Sequence, residues 1–177
     1  MSTDLALESL QKLVDRQEIE DVITRYSRAV DRADVELLRA CYHADATEDH
    51  GGVFTGPACE YVEHIAGILP RAGILNHLAT NVLVEFLDSA TARVEAYILT
   101  FSRMKKDGER FDTLTLARTV DRFEKRAGRW AIAQRRLCWE WNHEMPTRET
   151  WGRGLIAPDP AVLVRGAKRP DDILYGS

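Results

Sequence analysis

The sequence has few cysteines, no cluster of basic residues and no long apolar run, and each shortage excludes a class of protein. The three cysteines form no Cys-x-x-Cys pair and are odd in number, which fits a reduced, cytoplasmic protein better than a secreted one. The net charge of −4 gives no electrostatic support for a nucleic-acid partner. No segment approaches the roughly 18 apolar residues of a membrane-spanning helix, and the first residues lack the basic and apolar regions of a signal peptide. We therefore expect a cytoplasmic protein without a nucleic-acid or membrane partner.

Sequence motifs for common cofactors and nucleophiles are absent as well. The chain contains no Gly-x-Gly-x-x-Gly loop, no Walker loop and no Gly-x-Ser-x-Gly. A polar stretch at residues 43–54 holds two histidines and three acidic residues, but their spacing matches no recognised metal site. We interpret it as a solvated loop around a short strand at 46–49, and we expect neither a metal nor a cofactor.

The first part of the chain has the apolar spacing of helices. Residues 5–32 are predicted to form a long helix, with an apolar stripe at Ile19, Val22, Ile23, Tyr26, Ala29, Val30 and Ala33. Asp34 is a plausible N-cap for a second helix at 35–42. Pro57 lies near the first position of a third helix, which ends before Pro70. Because 45% of the 177 residues are hydrophobic, the chain can form one domain with a real core.

From residue 73 onward the pattern changes to that of strands. We expect strands at 78–86, 91–104, 110–125 and 129–142, separated by turn sequences that include Asp107-Gly108 and Ala127-Gly128. Strands that follow one another through tight turns pair antiparallel. Helices followed by such a meander predict an α+β fold, with the helices packed on one side of a curved sheet.

The last part of the chain differs from the rest. Residues 144–177 contain four prolines and show little periodicity. We interpret residues 1–143 as the folded domain and residues 144–177 as an extended tail that covers the pocket mouth, a neighbouring subunit, or both.

A candidate site lies on the first long strand. His77 and Asn81 are polar residues in a mostly apolar segment, and in a regular strand they share one face with Ala79. Imidazole is the usual proton acceptor at neutral pH, and a carboxylate on one ring nitrogen fixes the tautomer and makes the other nitrogen more basic. Asp31 could supply that carboxylate, because the dipole at a helix C-terminus disfavours an unpaired negative charge.

Tyr26 and Arg135 complete the candidate set, and structural explanations remain open for its members. The Tyr26 hydroxyl needs a partner on the buried stripe, and in a pocket it could act as an acid or hold a substrate oxygen. His77 could equally be structural, and Asp31 could form surface pairs with neighbouring arginines. Tyr26 and Asp31 lie about 140° apart on a straight helix, and a bulge near Thr80 would be needed to bring His77 onto the apolar face of its strand.

The order of elements and several motifs resemble the nuclear transport factor 2-like superfamily, specifically its snoaL-like branch. The stretches that carry the resemblance are residues 19–31 (IEDVITRYSRAVD), 55–57 (TGP), 77–86 (HLATNVLVEF) and 129–133 (RWAIA). Members of this branch form a cone, in which a curved antiparallel sheet wraps around the N-terminal helices and an internal pocket. The resemblance covers residues 10–142 and implies the same fold here.

Within this branch the spacing is similar to that of hexachlorocyclohexane dehydrochlorinases, scytalone dehydratases and bile-acid 7α-dehydratases, which use a His–Asp dyad to abstract a proton during elimination. The resemblance implies that His77 is the catalytic base, that Asp31 orients it, and that Tyr26 is a further catalytic residue. Asn81 belongs to the His-x-x-Thr-Asn stretch, and the resemblance implies that it binds substrate. Arg135 is the nearest match to a pocket-facing arginine of the last strand, although the register leaves its neighbour open.

The function that this resemblance implies is a cofactor-independent, dehydratase-like lyase. Its substrate would be a hydrophobic polycyclic or aromatic hydroxylated small molecule, steroid-like or polyketide-like, and the dehydratase relatives imply a homotrimer. An isomerase with the same dyad is a close alternative, because it differs only in where the proton returns. A non-catalytic assembly subunit, resembling the small subunit of ring-hydroxylating dioxygenases, is the alternative of a different class. Contact between the dyad side chains beside a cavity would favour the enzyme.

Overall fold

In the computed structural model, which describes residues 3–149, 151 and 157–176, the helices come first and the long strands last. The helices are α1 (Thr3–Arg32), α2 (Val35–Ala40) and α3 (Ala58–Ile68), followed by a short 3₁₀ helix (Leu69–Arg71). The strands are β1 (Tyr42–Asp49), β2 (Thr55–Pro57), β3 (Leu75–Phe86), β4 (Thr91–Lys106), β5 (Glu109–Arg126) and β6 (Arg129–Pro146). None of the helices in this part of the chain combines the length and the apolar character that a membrane crossing requires.

Helix α1 continues without interruption to Arg32, and its predicted stripe forms much of the core. From Ile19 to Val30, the stripe residues are at most 9% exposed. Ala33 adopts a left-handed backbone conformation with φ of 55°, which turns the chain out of α1. Asp34 then caps α2, since its side chain accepts a hydrogen bond from the backbone N–H of Leu37 at 3.2 Å. The predicted N-cap is therefore confirmed.

The six strands form one curved, unclosed sheet in the order β2-β1-β6-β5-β4-β3. Strands β3 to β6 form the predicted antiparallel meander. Strand β1 starts at Tyr42 rather than at residue 46, and it joins β6 in parallel. The α+β fold with a curved sheet packed against N-terminal helices is thus confirmed, and the parallel pair adds a contact that a meander alone does not provide.

A bulge in β3 decides which of its side chains face the core. The register against β4 shifts between Thr80 and Leu83, and Asn81 lies in the bulge with φ of 49°. The extra residue reverses the alternation, so His77 lies on the same face as Val84. The bulge that the sequence required near Thr80 is present. The expectation that Asn81 shares the face of His77 is wrong, because the bulge interrupts the alternation before Asn81.

The concave face of the sheet packs against α1 at one end and stays open at the other. Cross-strand partners share a face, so the register defines rows of side chains across β3, β4, β5 and β6. The covered rows are Phe86, Ala92, Phe123 and Ile132, then Val84, Val94, Asp121 and Arg135. The open rows are Ala79, Ile98, Ala117 and Trp139, then His77, Thr100, Thr115 and Asn142, of which only Ala117 is fully buried. We call the space over these two open rows the hollow.

The convex face carries a row of apolar side chains across the same four strands. The row consists of Leu78, Leu99, Leu116 and Trp141. Leu78 is 51% exposed and Trp141 is 46% exposed. Such a face is compatible with a contact between copies of the chain, and the homotrimer stays a prediction.

The C-terminal segment returns to the end of α1. Strand β6 continues to Pro146, so the tail begins after that residue rather than after residue 143. The backbone N–H of Arg169 donates to the carbonyl of Arg32 at 2.7 Å, and the Arg169 side chain donates to Asp34 at 2.8 Å. The Tyr175 hydroxyl donates to the other oxygen of Asp34 at 2.9 Å. Residues 150, 152–156 and 177 of the expected tail lie outside the described residues.

Candidate active site

The predicted carboxylate and imidazole meet at the end of α1. Oδ1 of Asp31 lies 2.5 Å from Nδ1 of His77, although 46 residues separate them in sequence. The backbone N–H of His77 also donates to the same carboxylate, at 2.9 Å to Oδ2 and 3.2 Å to Oδ1. These two donors compensate a negative charge that the dipole of α1 disfavours. Because Asp31 holds both the ring and the backbone of His77, the ring orientation is tied to the position of β3.

The second ring nitrogen of His77 is open to the hollow. An ionised carboxylate only accepts hydrogen bonds, so Nδ1 carries the proton and Nε2 presents a lone pair. No hydrogen bond to Nε2 occurs among the described residues. The His77 side chain is 18% exposed, and every buried side-chain nitrogen or oxygen in the described part has a partner. Nε2 therefore reaches solvent, next to the hydroxyl-bearing Thr100 and Thr115 of its row.

A cavity of about 780 Å³ lies next to Asp31, at the edge of the sheet where β3 begins. It is lined by Asp31, Arg32, the entry to β3, Phe101, Arg103 and tail residues that include 164–168. Nζ of Lys168 donates to the backbone carbonyl of Asp31 at 3.2 Å. Burial lowers the pKa of Lys168, against the opposing charge of Asp31. The tail thus contacts Asp31 directly and forms part of the wall of this cavity.

Tyr26 points into the interior rather than toward the dyad. Its hydroxyl forms a hydrogen bond of 3.0 Å with the hydroxyl of Tyr61, and the guanidinium of Arg135 lies 4.1 Å above its ring centroid. Burial and the nearby Glu48 charge raise the pKa of Tyr26 to about 12. Since α1 stays helical through Asp31, the two side chains do not converge, as their spacing on a straight helix implied.

Arg135 is the interior arginine of β6, and its neighbour is on the surface. Its Nε and Nη2 donate to the two carboxylate oxygens of Asp121 at 3.0 and 2.6 Å, and both residues are 2% exposed. Burial alone would lower the pKa of Arg135, but the charge of Asp121 holds that pKa well above its usual range. Arg136 is 66% exposed and lies 3.5 Å from Asp49. Of the two arginines, Arg135 is therefore the one that points into the interior, and a contact between it and a substrate stays a prediction.

Two residues that the sequence did not single out as a site form a second histidine–carboxylate pair. Nδ1 of His50 lies 2.8 Å from Oε1 of Glu48, and Oε2 of Glu48 accepts the Tyr42 hydroxyl at 2.7 Å. Glu48 is 1% exposed, so the expectation of a solvated loop at residues 43–54 is wrong. A signal was present: Tyr42, Ala46 and Glu48 fall on one face of a strand with a period of two.

Solved structures with the same fold include proteins named as dehydrochlorinases and as a scytalone dehydratase. The crystal structure of LinA aligns with a TM-score of 0.70 at 23% identity, covering 78% of this chain and 93% of that one. A hexachlorocyclohexane dehydrochlorinase, LinA type 2, aligns with a TM-score of 0.71 at 20% identity, covering 88% and 99%. A scytalone dehydratase candidate from Novosphingobium aromaticivorans aligns with a TM-score of 0.70 at 22% identity, covering 79% and 93%. At these identities the likeness establishes the fold alone.

The sequence itself assigns the family. No curated protein matches the chain. The family model of the SnoaL-like domain matches residues 11–136, which include α1 from residue 11, helices α2 and α3, strands β1 to β5 and the first part of β6. The match includes both members of each histidine–carboxylate pair. The chain therefore belongs to the SnoaL-like domain family of the nuclear transport factor 2-like superfamily.

Proposed function

We propose that the protein is a cofactor-independent lyase that eliminates water from a hydrophobic, hydroxylated cyclic molecule, with His77 as the base. The observation that carries the proposal is the contact between Asp31 and Nδ1 of His77, with Nε2 open to the hollow. An assembly subunit has no evident need for this contact. The contact also removes most of the Asp31 carboxylate from water, which is unfavourable for a charged group. The dehydrochlorinase and dehydratase neighbours have the same fold and are consistent with this class.

The chemistry follows from the orientation of the imidazole. Nε2 of His77 takes the proton from a carbon next to a carbonyl, and the released electron pair forms a carbon–carbon double bond. The bond from the neighbouring carbon to oxygen breaks, and the oxygen leaves as water after it gains a proton. Asp31 holds the tautomer and stabilises the imidazolium that forms. Half-buried apolar residues of the hollow, such as Ala79 and Ile98, suit a hydrophobic ring system.

The remaining predicted contacts have unequal support. Tyr26 is a proposed hydrogen-bond donor to the substrate, but its hydroxyl is already bonded to Tyr61. Arg135 has two of its donors on Asp121, so we propose that it orders the wall of the hollow more than it binds substrate. Asn81 is exposed on the bulge, and a contact between it and the substrate stays a prediction.

The test is the dehydration of a β-hydroxytetralone, which loses water to give a fluorescent naphthol. His77→Gln is expected to lower kcat/KM by about 10²- to 10⁴-fold, the usual contribution of a general base. Asp31→Asn is expected to lower kcat/KM by at least about 10²-fold, because an amide can present its N–H and favour the wrong tautomer. His143→Gln is the matched control, since this histidine is exposed on β6.

Three results would count against the proposal in different ways. Unchanged turnover in His77→Gln would reject the base. Conversion of a β,γ-unsaturated ketosteroid to its conjugated isomer, without any dehydration, would favour an isomerase with the same dyad. An absence of turnover and of binding for both compounds would favour the assembly subunit.

A further inference from the structure

The hollow has a second polar group on the wall opposite His77. This group is the pair of Glu48 and His50, at the end of β1 and the start of the following turn. As in the first pair, the carboxylate accepts a second hydrogen bond besides its contact with the imidazole, here from the Tyr42 hydroxyl. The lyase proposed above assigns it no role.

The His50 ring is fixed by its aromatic neighbours. It stacks on Tyr61 with ring centroids 5.0 Å apart, and it forms a T-shaped contact with Trp139, with ring centroids 5.9 Å apart. The indole N–H of Trp139 donates to the carbonyl of Gly51, the next residue, at 2.8 Å. The backbone N–H of His50 donates to the carbonyl of Phe54 at 2.8 Å, which closes the turn. Ring and backbone are therefore both held, as an acid or base with a defined direction requires.

The strand register places Glu48 of this pair on the same face as His77. Glu48 is the partner of Arg135 in the parallel pair of β1 and β6, and the row continues through Asp121 and Val94 to Val84. Val84 shares its face with His77 because of the bulge in β3. Trp139, which contacts the His50 ring, belongs to an open row of the hollow.

The two histidines belong to opposite ends of one curved surface. Four inter-strand steps separate β1 from β3 in the order of the sheet, which is about 19 Å measured along the sheet and less across its concave side. The His77 side chain extends from β3 on the concave face, and the His50 ring, which follows β1, contacts Trp139 of that face. A cyclic molecule can lie in this space with the C–H and C–O groups of two adjacent carbons facing the two imidazoles.

The hydrogen bonds of His50 determine whether its Nε2 can donate a proton. The Glu48 carboxylate accepts from Nδ1, so Nε2 carries a proton only in the imidazolium form. The His50 side chain is 17% exposed, no described residue bonds Nε2, and no buried side-chain nitrogen in the described part lacks a partner. Nε2 of His50 is thus accessible, as is that of His77. A protonated His50 can donate from Nε2 while Glu48 compensates its charge.

Resting on the proposed lyase, we propose that His50 is the general acid that protonates the departing hydroxyl, with Glu48 as its positioning residue. His77 takes the carbon-bound proton, the double bond forms, the carbon–oxygen bond breaks, and the His50 proton leaves with the oxygen as water. The enzyme then holds a protonated His77 and a neutral His50, and exchange with solvent restores both. This assignment selects substrates with a poor leaving group, that is, alcohols rather than halides.

The leaving group supplies the test. The β-hydroxytetralone is compared with the β-chloro ketone of the same skeleton, corrected for its spontaneous elimination, since both give the same naphthol. His50→Gln is expected to lower kcat for the alcohol by about 10²-fold or more and for the chloride by less than about threefold, because chloride needs no proton. Glu48→Gln keeps an acceptor for Nδ1 and is expected to produce a smaller loss of the same selectivity. His64→Gln, an exposed histidine of α3, is the control.

The outcomes separate the two proposals. One outcome is that His77→Gln loses both reactions while His50→Gln converts the alcohol and the chloride at the wild-type rates. This outcome would overturn the role of His50 as the acid and keep His77 as the base. A His50→Gln variant that slows both substrates alike would also overturn it, because a merely structural residue does not distinguish leaving groups. If the wild type converts neither ketone, the lyase proposal fails for cyclic ketones of this kind. Titration with the naphthol then tests whether His50 and His77 belong to one binding site. Shifts of the ring-nitrogen NMR signals of both His50 and His77 would support a shared site, and a shift of His77 alone would overturn it.

Discussion

The ion pair between Arg135 and Asp121 provides the sharpest test of how the interior of the cone is held together. Both side chains are 2% exposed, and two hydrogen bonds of 3.0 and 2.6 Å join them. Replacing Arg135 with Met keeps most of the side-chain volume but leaves the Asp121 carboxylate buried without its cation. It also removes a cation over the Tyr26 ring at 4.1 Å.

The expected cost can be derived from these contacts. Breaking a buried pair by removing one partner costs about 3–5 kcal/mol, because an uncompensated charge remains. Burial raises the pKa of Asp121, and the Arg135 charge opposes that rise in the wild type. Without Arg135 the folded-state pKa rises further above the unfolded-state value. The unfolding free energy of the variant must therefore fall as pH rises above about 4, by up to about 1.4 kcal/mol per pH unit until the folded-state pKa is reached.

The measurement is urea unfolding followed by tryptophan fluorescence at pH 5 and pH 8. Arg135→Met should lose more stability relative to the wild type at pH 8 than at pH 5. The control is Arg136→Met, which removes an adjacent arginine that is 66% exposed and should change the unfolding free energy by less than about 0.5 kcal/mol. Adding Asp121→Val to Arg135→Met should recover much of the loss, because no buried charge then remains. Equal losses at the two pH values, or a loss below about 1 kcal/mol, would refute the reasoning.

Two further predictions concern the tail and the bulge. Burial raises the pKa of Asp34, but the N–H of Leu37 and the contacts with Tyr175 and Arg169 outweigh it and lower that pKa. A carboxyl group with a lowered folded-state pKa stabilises the fold above about pH 4, and this contribution is lost as pH falls. Between pH 5 and pH 3, the unfolding free energy of Asp34→Asn should therefore decline by roughly 1 kcal/mol less than that of the wild type. Because Asn81 has a φ of 49°, Asn81→Gly should be nearly neutral and Asn81→Val should cost about 1–2 kcal/mol in the same urea assay. A tolerated valine would mean that the bulge is not needed.

The parts of the fold that local patterns encode were predictable, and the parts that depend on distant partners were not. The stripe of α1, the cap at Asp34 and the meander each depend on neighbouring residues, and all three are present. The parallel pairing of β1 with β6 joins Tyr42 to Ile132 and Glu48 to Arg135, which are far apart in sequence. No local pattern encodes such a pairing, so β1 was expected to be only a short strand.

The same distinction applies to the site. General chemistry made Asp31 a possible partner of His77, and the resemblance to a known family turned this possibility into a specific prediction. Glu48 was expected to be solvated in a short strand at 46–49, because an acidic residue normally faces water. Its burial depends on Tyr42 and His50 as donors, which become visible only when β1 is recognised as a full strand.

One structural feature links the stability of the cone to the placement of its candidate base. The Asp31 carboxylate bonds both the ring and the backbone N–H of His77, so the ring can be oriented only if β3 keeps its register. In a regular strand, the face that holds His77 would exclude Val84 from the core, because the two are seven positions apart. The bulge at Asn81 removes this conflict, so the apolar half of β3 packs against α1 while the other half presents an imidazole to the hollow. A slip of one residue that restored a regular strand would bury the wrong half or turn His77 outward. The register that packs the core is therefore the same register that positions the base.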